Sequence, residues 1–262
     1  MGGPIPAVDP IPLPAPVWLF KFLDLLVLTL HFCAVQMLLG GLLVATIWAL
    51  AAYRSRNPLL LNARGAVTMR LPIVVAFVIN LGIPPLLFTQ VLYGRALYTS
   101  SVVMGAYWIS AVFILMFGYF LLYRAAAPSG SGKAGFWLGL LAYAAFLKIG
   151  FILSSNMTLM LRPEAWLEMY RTNPYGTQLP SGDPTLIARW TYMVVGSIGV
   201  GGIVLMLLGI KRGLGDDVRA FLQRWGGRLA ALFLLVQGGL GYWVFTVQPE
   251  VVRTGLVASE RA

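Results

Sequence analysis

The chain alternates between long runs of apolar residues and short polar connections. A run of about 20 apolar residues is enough to cross the hydrocarbon core of a bilayer. The first run is longer than a bilayer requires, so we expect it to tilt or to project from one face. The pattern predicts an all-α integral membrane protein, one domain over residues 1–262 built as a bundle of about six transmembrane helices. The predicted spans lie at about 17–53, 71–93, 102–123, 136–155, 186–210 and 229–247.

The composition agrees with a membrane location and excludes nucleic acid as a partner. Hydrophobic residues make up 59% of the chain and charged residues only 11%. Soluble domains carry roughly 25% charged residues. The net charge is +10, but the lysines and arginines fall mostly in the connections between the apolar runs. That distribution is typical of membrane topology rather than of a nucleic-acid surface. The partner that the composition indicates is the lipid bilayer.

The distribution of Lys and Arg among the connections predicts the orientation. The first, third and fifth connections are basic, so the positive-inside rule places them in the cytoplasm and both termini outside. We therefore expect a multi-pass protein of the inner (cytoplasmic) membrane, with an external loop at 156–185 and a cytoplasmic surface segment at 211–226. Within these two segments, the sequence pattern predicts a short amphipathic turn at 163–170 and a surface helix at 216–225. The basic residues that decide the orientation are Arg54, Arg56, Arg64, Arg70, Arg124, Lys133, Lys211, Arg212, Arg219, Arg224 and Arg228.

Ionisable residues inside the predicted spans gather towards the outer side. His31 is the only histidine of the chain, and Asp24 lies two helical turns before it on the same face of the first span. Lys148 lies six residues before Ser154, in the outer half of the fourth span. Ionisable residues at membrane depth are costly and by default indicate function. We therefore assign the catalytic, proton-handling roles to His31, Lys148 and Asp24, and expect them to share one pocket.

Three amides lie towards the same side. The second span contains Asn80 and Gln90, separated by Pro84-Pro85, and Asn156 follows the fourth span. We expect the two prolines to break the helix and to free backbone carbonyls, which are tolerated in a membrane only inside protein or beside a wet cavity. The residues expected to contact a cofactor are His31, Asn80, Gln90 and Asn156.

Several of these residues also have a purely structural interpretation. His31 can hydrogen-bond a neighbouring helix, Asp24 can pair with a lysine, and Lys148 can extend its ammonium to the outer surface. The glycine-rich face of the fifth span, including Ser197-xxx-Gly201, is typical of close helix packing. The alternative for that face is room for a flat cofactor.

Two short segments carry a family resemblance. One is Leu30-His31-Phe32 with Leu38-Leu39-Gly40, and the other is Phe151-Ile152-Leu153-Ser154-Ser155-Asn156-Met157. The histidine near the outer end of the first span, and the polar segment that ends the fourth, resemble the N-terminal region of cytochrome bd quinol oxidase subunit I. The resemblance covers roughly residues 1–200 in spacing and topology.

The resemblance implies that His31 is an axial ligand of haem b iron and that quinol is handled near the outer leaflet. That family keeps a second haem histidine early in its fifth span, where this chain reads Arg189-Trp190-Thr191-Tyr192-Met193. We therefore do not expect oxygen reduction. The resemblance implies a membrane subunit of a respiratory electron-transfer complex, exchanging electrons with an external partner. The lone Cys33 cannot form a c-type haem attachment, so that partner is expected to be a separate c-type cytochrome on the outer face.

Two other function classes stay open at this stage. A cofactor-free membrane anchor for a peripheral redox protein explains the long first helix and the small-residue faces equally well. A small transporter or channel is indicated by Pro84-Pro85 together with Asn80 and Lys148 near mid-membrane. A haem absorption that vanishes in His31→Ala favours the redox interpretation, whereas a colourless protein without quinone favours the anchor.

Overall fold

The computed structural model describes residues 13–127 and 132–258, and every regular element in these ranges is helical. Six segments are long and apolar enough to cross a membrane: α1, α2 with α3, α4, α5, α7 and α8. This confirms an all-α multi-pass membrane protein. The extreme ends of the predicted domain, 1–12 and 259–262, lie outside the described residues. The helices are α1 (Val17–Ser55), α2 (Pro58–Thr68), α3 (Leu71–Val103), α4 (Gly105–Ala126), α5 (Gly132–Met160), α6 (Trp166–Thr172), α7 (Pro184–Ile210), α8 (Asp216–Thr246) and α9 (Glu250–Ala258).

Successive spans run in opposite directions, which gives the bundle two ends. One end carries α2, which packs against the last turn of α4 and the first part of α8; we call it the α2 end. The other end carries α6, and we call it the α6 end. Helices α1, α4 and α7 run towards the α2 end, and α3, α5 and α8 return. The start of α1 and the whole of α9 therefore lie at the α6 end, while the basic first, third and fifth connections share the α2 end.

Helix α2 lies where the hydropathy pattern predicts only a connection. Its N-terminus is capped by Asn57, whose side-chain oxygen accepts a hydrogen bond from the Leu59 N–H at 2.9 Å, and Pro58 takes the first helical position. Arg64 is 5% exposed and donates to the Ala125 carbonyl at 2.8 Å. Carbonyls in the last turn of a helix have no partner within that helix. Arg64 thus satisfies the end of α4 and holds α2 beneath the bundle.

Small residues bring α1, α7 and α8 into backbone contact. A Cβ atom at Gly40 of α1 would stand 1.9 Å from the Ser197 carbonyl oxygen and 2.9 Å from Gly201 Cα. Between α7 and α8, a Cβ at Gly202 would stand 2.7 Å from the Gly226 carbonyl oxygen. This confirms the close-packing interpretation of Ser197-xxx-Gly201. Because backbone lies against backbone, the glycine face of α7 has no room for a flat cofactor.

The expected helix break at Pro84-Pro85 is wrong. Helix α3 continues through both prolines, and its non-helical dihedral angles fall at Tyr93, with φ −133° and ψ 30°. Proline fixes φ near the helical value, so it fits the helix dihedrals even though it removes a hydrogen bond. Membrane helices tolerate this loss where neighbouring groups satisfy the freed carbonyls.

The expected surface helix at 216–225 is not a separate element. It forms the first part of α8, which continues without interruption to Thr246. Val218 and Leu222 are buried, and the Phe221 ring lies 5.1 Å from the Trp48 ring of α1. One face of the segment thus packs against the bundle, while Asp216, Asp217 and Arg224 on its other side are exposed.

Candidate functional site

His31 lies in the contact between α1 and α3, where its orientation is set by one hydrogen bond. Its Nδ1 atom is 3.0 Å from the backbone carbonyl oxygen of Val78. A carbonyl oxygen can only accept, so Nδ1 must carry the proton. In the neutral ring this leaves a lone pair on Nε2. A ring nitrogen held to a carbonyl in this way fixes the tautomer and aims the opposite nitrogen at a ligand or a proton donor.

A glycine makes room for the imidazole. A Cβ atom placed on Gly82 would stand 2.9 Å from His31 Cε1 and 3.1 Å from Nδ1. Both distances are shorter than an ordinary contact, so a larger residue at 82 would displace the ring. Val78 and Gly82 lie one turn apart on α3 and together hold the imidazole by a hydrogen bond and by close contact.

The seam between α1 and α3 can be reached from the bilayer. His31 is half-buried, and its neighbours Leu30 and Phe32 are exposed on the side of the bundle. Towards the α6 end, the rings of Phe20 and Phe88 meet edge to face with centroids 6.0 Å apart. We call the stretch of the α1–α3 contact from Phe20 to His31 the seam.

Asp24 lies in the seam between the phenylalanine pair and the imidazole. Its side chain is half-buried, and its Oδ1 atom has no hydrogen-bond partner in the described part of the chain. A buried polar atom without a partner is costly. The free lone pairs of Oδ1 give the seam a second acceptor, two turns from His31 on the same face of α1.

The two prolines of α3 leave two backbone carbonyls without their usual helix partners. In an α-helix the N–H of residue i bonds the carbonyl of residue i−4. Pro84 and Pro85 have no N–H, so the carbonyls of Asn80 and Leu81 lose these partners. Although the helix does not break, the prolines place two under-satisfied carbonyls next to Gly82.

The Asn80 and Gln90 side chains are not brought to the imidazole by any contact within the described residues. Asn80 is exposed and its Nδ2 donates at 2.8 Å to the Ala76 carbonyl of its own helix. Gln90 is half-buried about three turns further along α3. The Asn80 side chain therefore has a local partner on its own helix.

Lys148 faces the side of the bundle rather than the seam. Its side chain is exposed, and its ammonium lies 5.7 Å from the centre of the Tyr107 ring of α4. Helix α5 extends to Met160, so Lys148 lies about 18 Å from that helix end at roughly 1.5 Å per residue. Tyr107 lies in the first turn of α4, at the α6 end. The lysine thus extends its charge towards that end along an aromatic ring, as a snorkelling side chain does.

Asn156 joins three helices and is 1% exposed. Because the indole N–H of Trp108 and the backbone N–H of Ser101 can only donate, the amide oxygen of Asn156 faces them, at 2.9 Å and 3.2 Å. The Ser100 hydroxyl lies at 3.2 Å. These contacts tie the end of α5 to the junction of α3 and α4. The amide is occupied by the protein itself, so the structure gives Asn156 a packing role and not a ligand contact.

The α6 end is closed by an ion-pair cluster. Arg162 pairs with Glu164 and, at 2.5 Å, with Asp183, which caps α7 by accepting from the Thr185 N–H and hydroxyl. Hydrogen bonds to Glu164 and Asp183 raise the pKa of Arg162, and the bond from Arg162 lowers the pKa of Glu164. Burial acts to raise the pKa of Asp183, but the bonds from Thr185 and Arg162 outweigh it and the pKa is lowered. The expected turn at 163–170 is a 3-10 turn, Pro163–Ala165, followed by α6.

Comparison with protein families, with curated proteins and with solved structures found no match to this chain. The resemblance to cytochrome bd quinol oxidase subunit I therefore stays a prediction.

Of the residues proposed from sequence, His31 and Asp24 lie on the same face of α1, two turns apart. No hydrogen bond or ion pair in the described ranges joins Lys148 to either of them. The sequence reasoning missed Val78, which contributes a backbone carbonyl, and Gly82, which contributes the absence of a side chain. The position of Gly82, two residues before a double proline in an apolar span, is the signal that could have indicated it.

Proposed function

We propose that the chain is the membrane subunit of a respiratory electron-transfer complex that oxidises quinol in the α1–α3 seam. The observation that carries the proposal is the His31 imidazole, whose Nδ1 is held by the Val78 carbonyl while Nε2 keeps a lone pair. The basic connections share the α2 end, so this end is proposed to face the cytoplasm and the α6 end the outside. The membrane is proposed to be the inner (cytoplasmic) membrane.

The seam supplies the groups that quinol chemistry requires. Quinol is lipid-soluble and enters sideways between exposed Leu30 and Phe32. One quinol hydroxyl donates to Nε2 of His31. Oxidation breaks two O–H bonds and releases two protons and two electrons. One proton passes to Nε2 and the second to Asp24, whose Oδ1 has no partner in the described chain, and both leave at the α6 end. The electrons reduce the haem iron of an external c-type cytochrome, one electron per haem.

Haem b fits the described residues less well than quinol does. His31 Nε2 can serve as one axial ligand to haem iron. The chain has no second histidine to serve as the other, and the glycine face of α7 is filled by backbone contacts with α1 and α8. A porphyrin therefore has no flat slot between these helices.

The decisive experiment compares two substitutions at His31 in the assembled complex. In His31→Asn the shorter amide can still donate to the Val78 carbonyl, but Nε2 is lost; His31→Ala loses both. A positioned acid–base group contributes about 100-fold or more to a rate. We expect quinol turnover to fall by about 100-fold in both variants, with assembly retained in His31→Asn. Thr29→Ala, exposed on the same helix, is the matched control and leaves turnover unchanged. Normal turnover in His31→Asn rules out Nε2 as the proton acceptor.

A cofactor-free anchor is the second candidate, and the exposed sides of the bundle favour it. On α8, Leu234, Leu235 and Tyr242 are 74%, 78% and 71% exposed. Such faces can pack against helices of other subunits as well as against lipid. The two candidates differ in one measurement on the purified complex. Extraction of stoichiometric quinone, reduced in amount by His31→Ala, supports quinol oxidation, whereas a quinone-free protein that still binds its partner supports the anchor.

A further inference from the structure

Helix α9 meets the end of α8 in an open cleft, separate from the seam. The cleft has a volume of about 540 Å³ and is lined by Phe245, Glu250, Arg253, Thr254, Val257 and Ala258. Gln248, in the turn between the helices, accepts at 3.2 Å from the Arg189 guanidinium of α7 and donates at 3.1 Å to the Val244 carbonyl. These bonds tie the turn that precedes α9 to α7 and α8.

Helix α9 lines this cleft with three polar residues as well as Val257 and Ala258, and it turns two other apolar residues outwards. Glu250, Arg253 and Thr254 line the cleft, whereas Val251 is 81% exposed and Leu256 54% exposed. An outward apolar face on a short helix is unfavourable in water and favourable in the headgroup region of a bilayer. This arrangement, directly after a membrane span, places the cleft where lipid headgroups lie.

The charges in the cleft are opposite but unpaired with each other. Glu250 and Arg253 are three residues apart on one helix face, yet no ion pair joins them within the described residues. The Nε atom of Arg253 is buried and has no acceptor in that same part of the chain. A ligand that carries both an anion and a hydrogen-bonding cation complements this spacing, because each group meets its opposite.

We propose that the cleft binds a phospholipid with a phosphate and a primary ammonium, as in phosphatidylethanolamine. The phosphate accepts from the Arg253 guanidinium, and the ammonium donates to the Glu250 carboxylate. The part of an acyl chain nearest the headgroup lies along Phe245 and Val257. A quaternary ammonium has no N–H to donate, so phosphatidylcholine loses the Glu250 hydrogen bond. Phosphatidylglycerol has no ammonium at all.

Native mass spectrometry of the delipidated full chain, titrated with each lipid, tests the proposal. We expect phosphatidylethanolamine to bind at least tenfold more tightly than phosphatidylcholine or phosphatidylglycerol. Glu250→Gln should remove this preference, and Arg253→Gln should weaken binding of all three lipids. Arg171→Gln, an exposed arginine of α6 at the same end, is the matched control and should leave binding unchanged.

Three results would overturn the assignment. Equal binding of phosphatidylethanolamine and phosphatidylcholine removes the role of the ammonium. Unchanged lipid binding in Arg253→Gln removes the role of the guanidinium. Inorganic phosphate that competes at the same concentration as the lipid shows a simple anion site. Because Glu250→Gln replaces a side chain at the cleft without changing its size, loss of folding does not obscure the lipid preference.

Discussion

Replacing Gly82 with alanine tests whether the seam positions the imidazole. The new Cβ would stand 2.9 Å from His31 Cε1, 3.1 Å from Nδ1 and 3.7 Å from Nε2. Ordinary contacts begin at 3.4 Å, so the ring must move away by about half an ångström. Gly94 offers a matched control on the same helix, since a Cβ there would meet the Tyr98 ring at 3.8 Å, an ordinary contact.

The size of the effect follows from the hydrogen bond to Val78. A shift of about half an ångström lengthens the 3.0 Å Nδ1–oxygen distance towards the limit of hydrogen bonding. A hydrogen bond contributes about 1 kcal/mol net. Alanine is favoured over glycine in a helix by up to about 1 kcal/mol, a gain that both variants share. We expect Gly82→Ala to be about 1 kcal/mol less stable than Gly94→Ala. Misplacing a catalytic group by 1 Å can cost about 100-fold, so turnover should fall by about tenfold.

Two measurements decide the outcome. The free energy of unfolding is measured in mixed micelles by titration with a denaturing detergent, and quinol turnover is measured on the assembled complex. If Gly82→Ala and Gly94→Ala have the same stability and both turn over at the wild-type rate, the close contact between Gly82 and the imidazole has no functional role. Reduced turnover with unchanged quinone content would place the defect in proton transfer rather than in binding.

Three further predictions concern packing, pH and Lys148. Gly40→Ala should destabilise the bundle by about 3 kcal/mol, because its Cβ would meet a backbone oxygen at 1.9 Å. Gly41→Ala is the matched control, since the nearest atom there is a leucine methyl at 3.1 Å. Equal free energies of unfolding for the two variants would contradict the prediction. The lowered pKa of Asp183 means that its stabilising effect is complete above the unfolded pKa and lost as pH falls through the lower folded value. The melting temperature of the wild type should therefore fall below about pH 4, and that of Asp183→Asn should fall less. Melting temperatures that change in parallel with pH in the two proteins would refute this role of Asp183. Lys148→Leu should keep quinol turnover within about twofold of wild type. A fall in turnover as large as that expected for His31→Ala would show that Lys148 takes part in the reaction.

The membrane spans were predictable because hydropathy acts through length and composition alone. The run from 71 to 93 was recognised, although α3 continues to Val103 past the distorted Tyr93. Helix α2 was not recognised, because it is short and its Arg64 reads as a loop charge in sequence. The guanidinium of the buried Arg64 donates to the carbonyl of Ala125, 61 residues away. Such a long-range pairing has no signature in local hydropathy.

The site was predictable only along one helix. The spacing of seven residues between Asp24 and His31 places them on the same face of α1, because α1 runs unbroken through both positions. The residue that meets this face from α3 could not be inferred. Lys148 and Asn80 have polar side chains that attract attention in the sequence, whereas Val78 has an apolar one. The atom that receives the imidazole is a backbone carbonyl, which every residue has. Polar sequence features therefore pointed at the wrong partners.

A single histidine can be held in one orientation within a membrane bundle without a second polar side chain. An imidazole in a membrane needs a donor or acceptor for each ring nitrogen, and a second polar side chain on α3 would itself be costly to bury. A helix carbonyl has two lone pairs and is already desolvated, so it accepts a second hydrogen bond without adding a polar group. It can be approached only where the neighbouring turn carries no side chain, which is what Gly82 provides. The imidazole is thus held by one glycine and one backbone oxygen, which leaves Nε2 as the ring nitrogen free for chemistry.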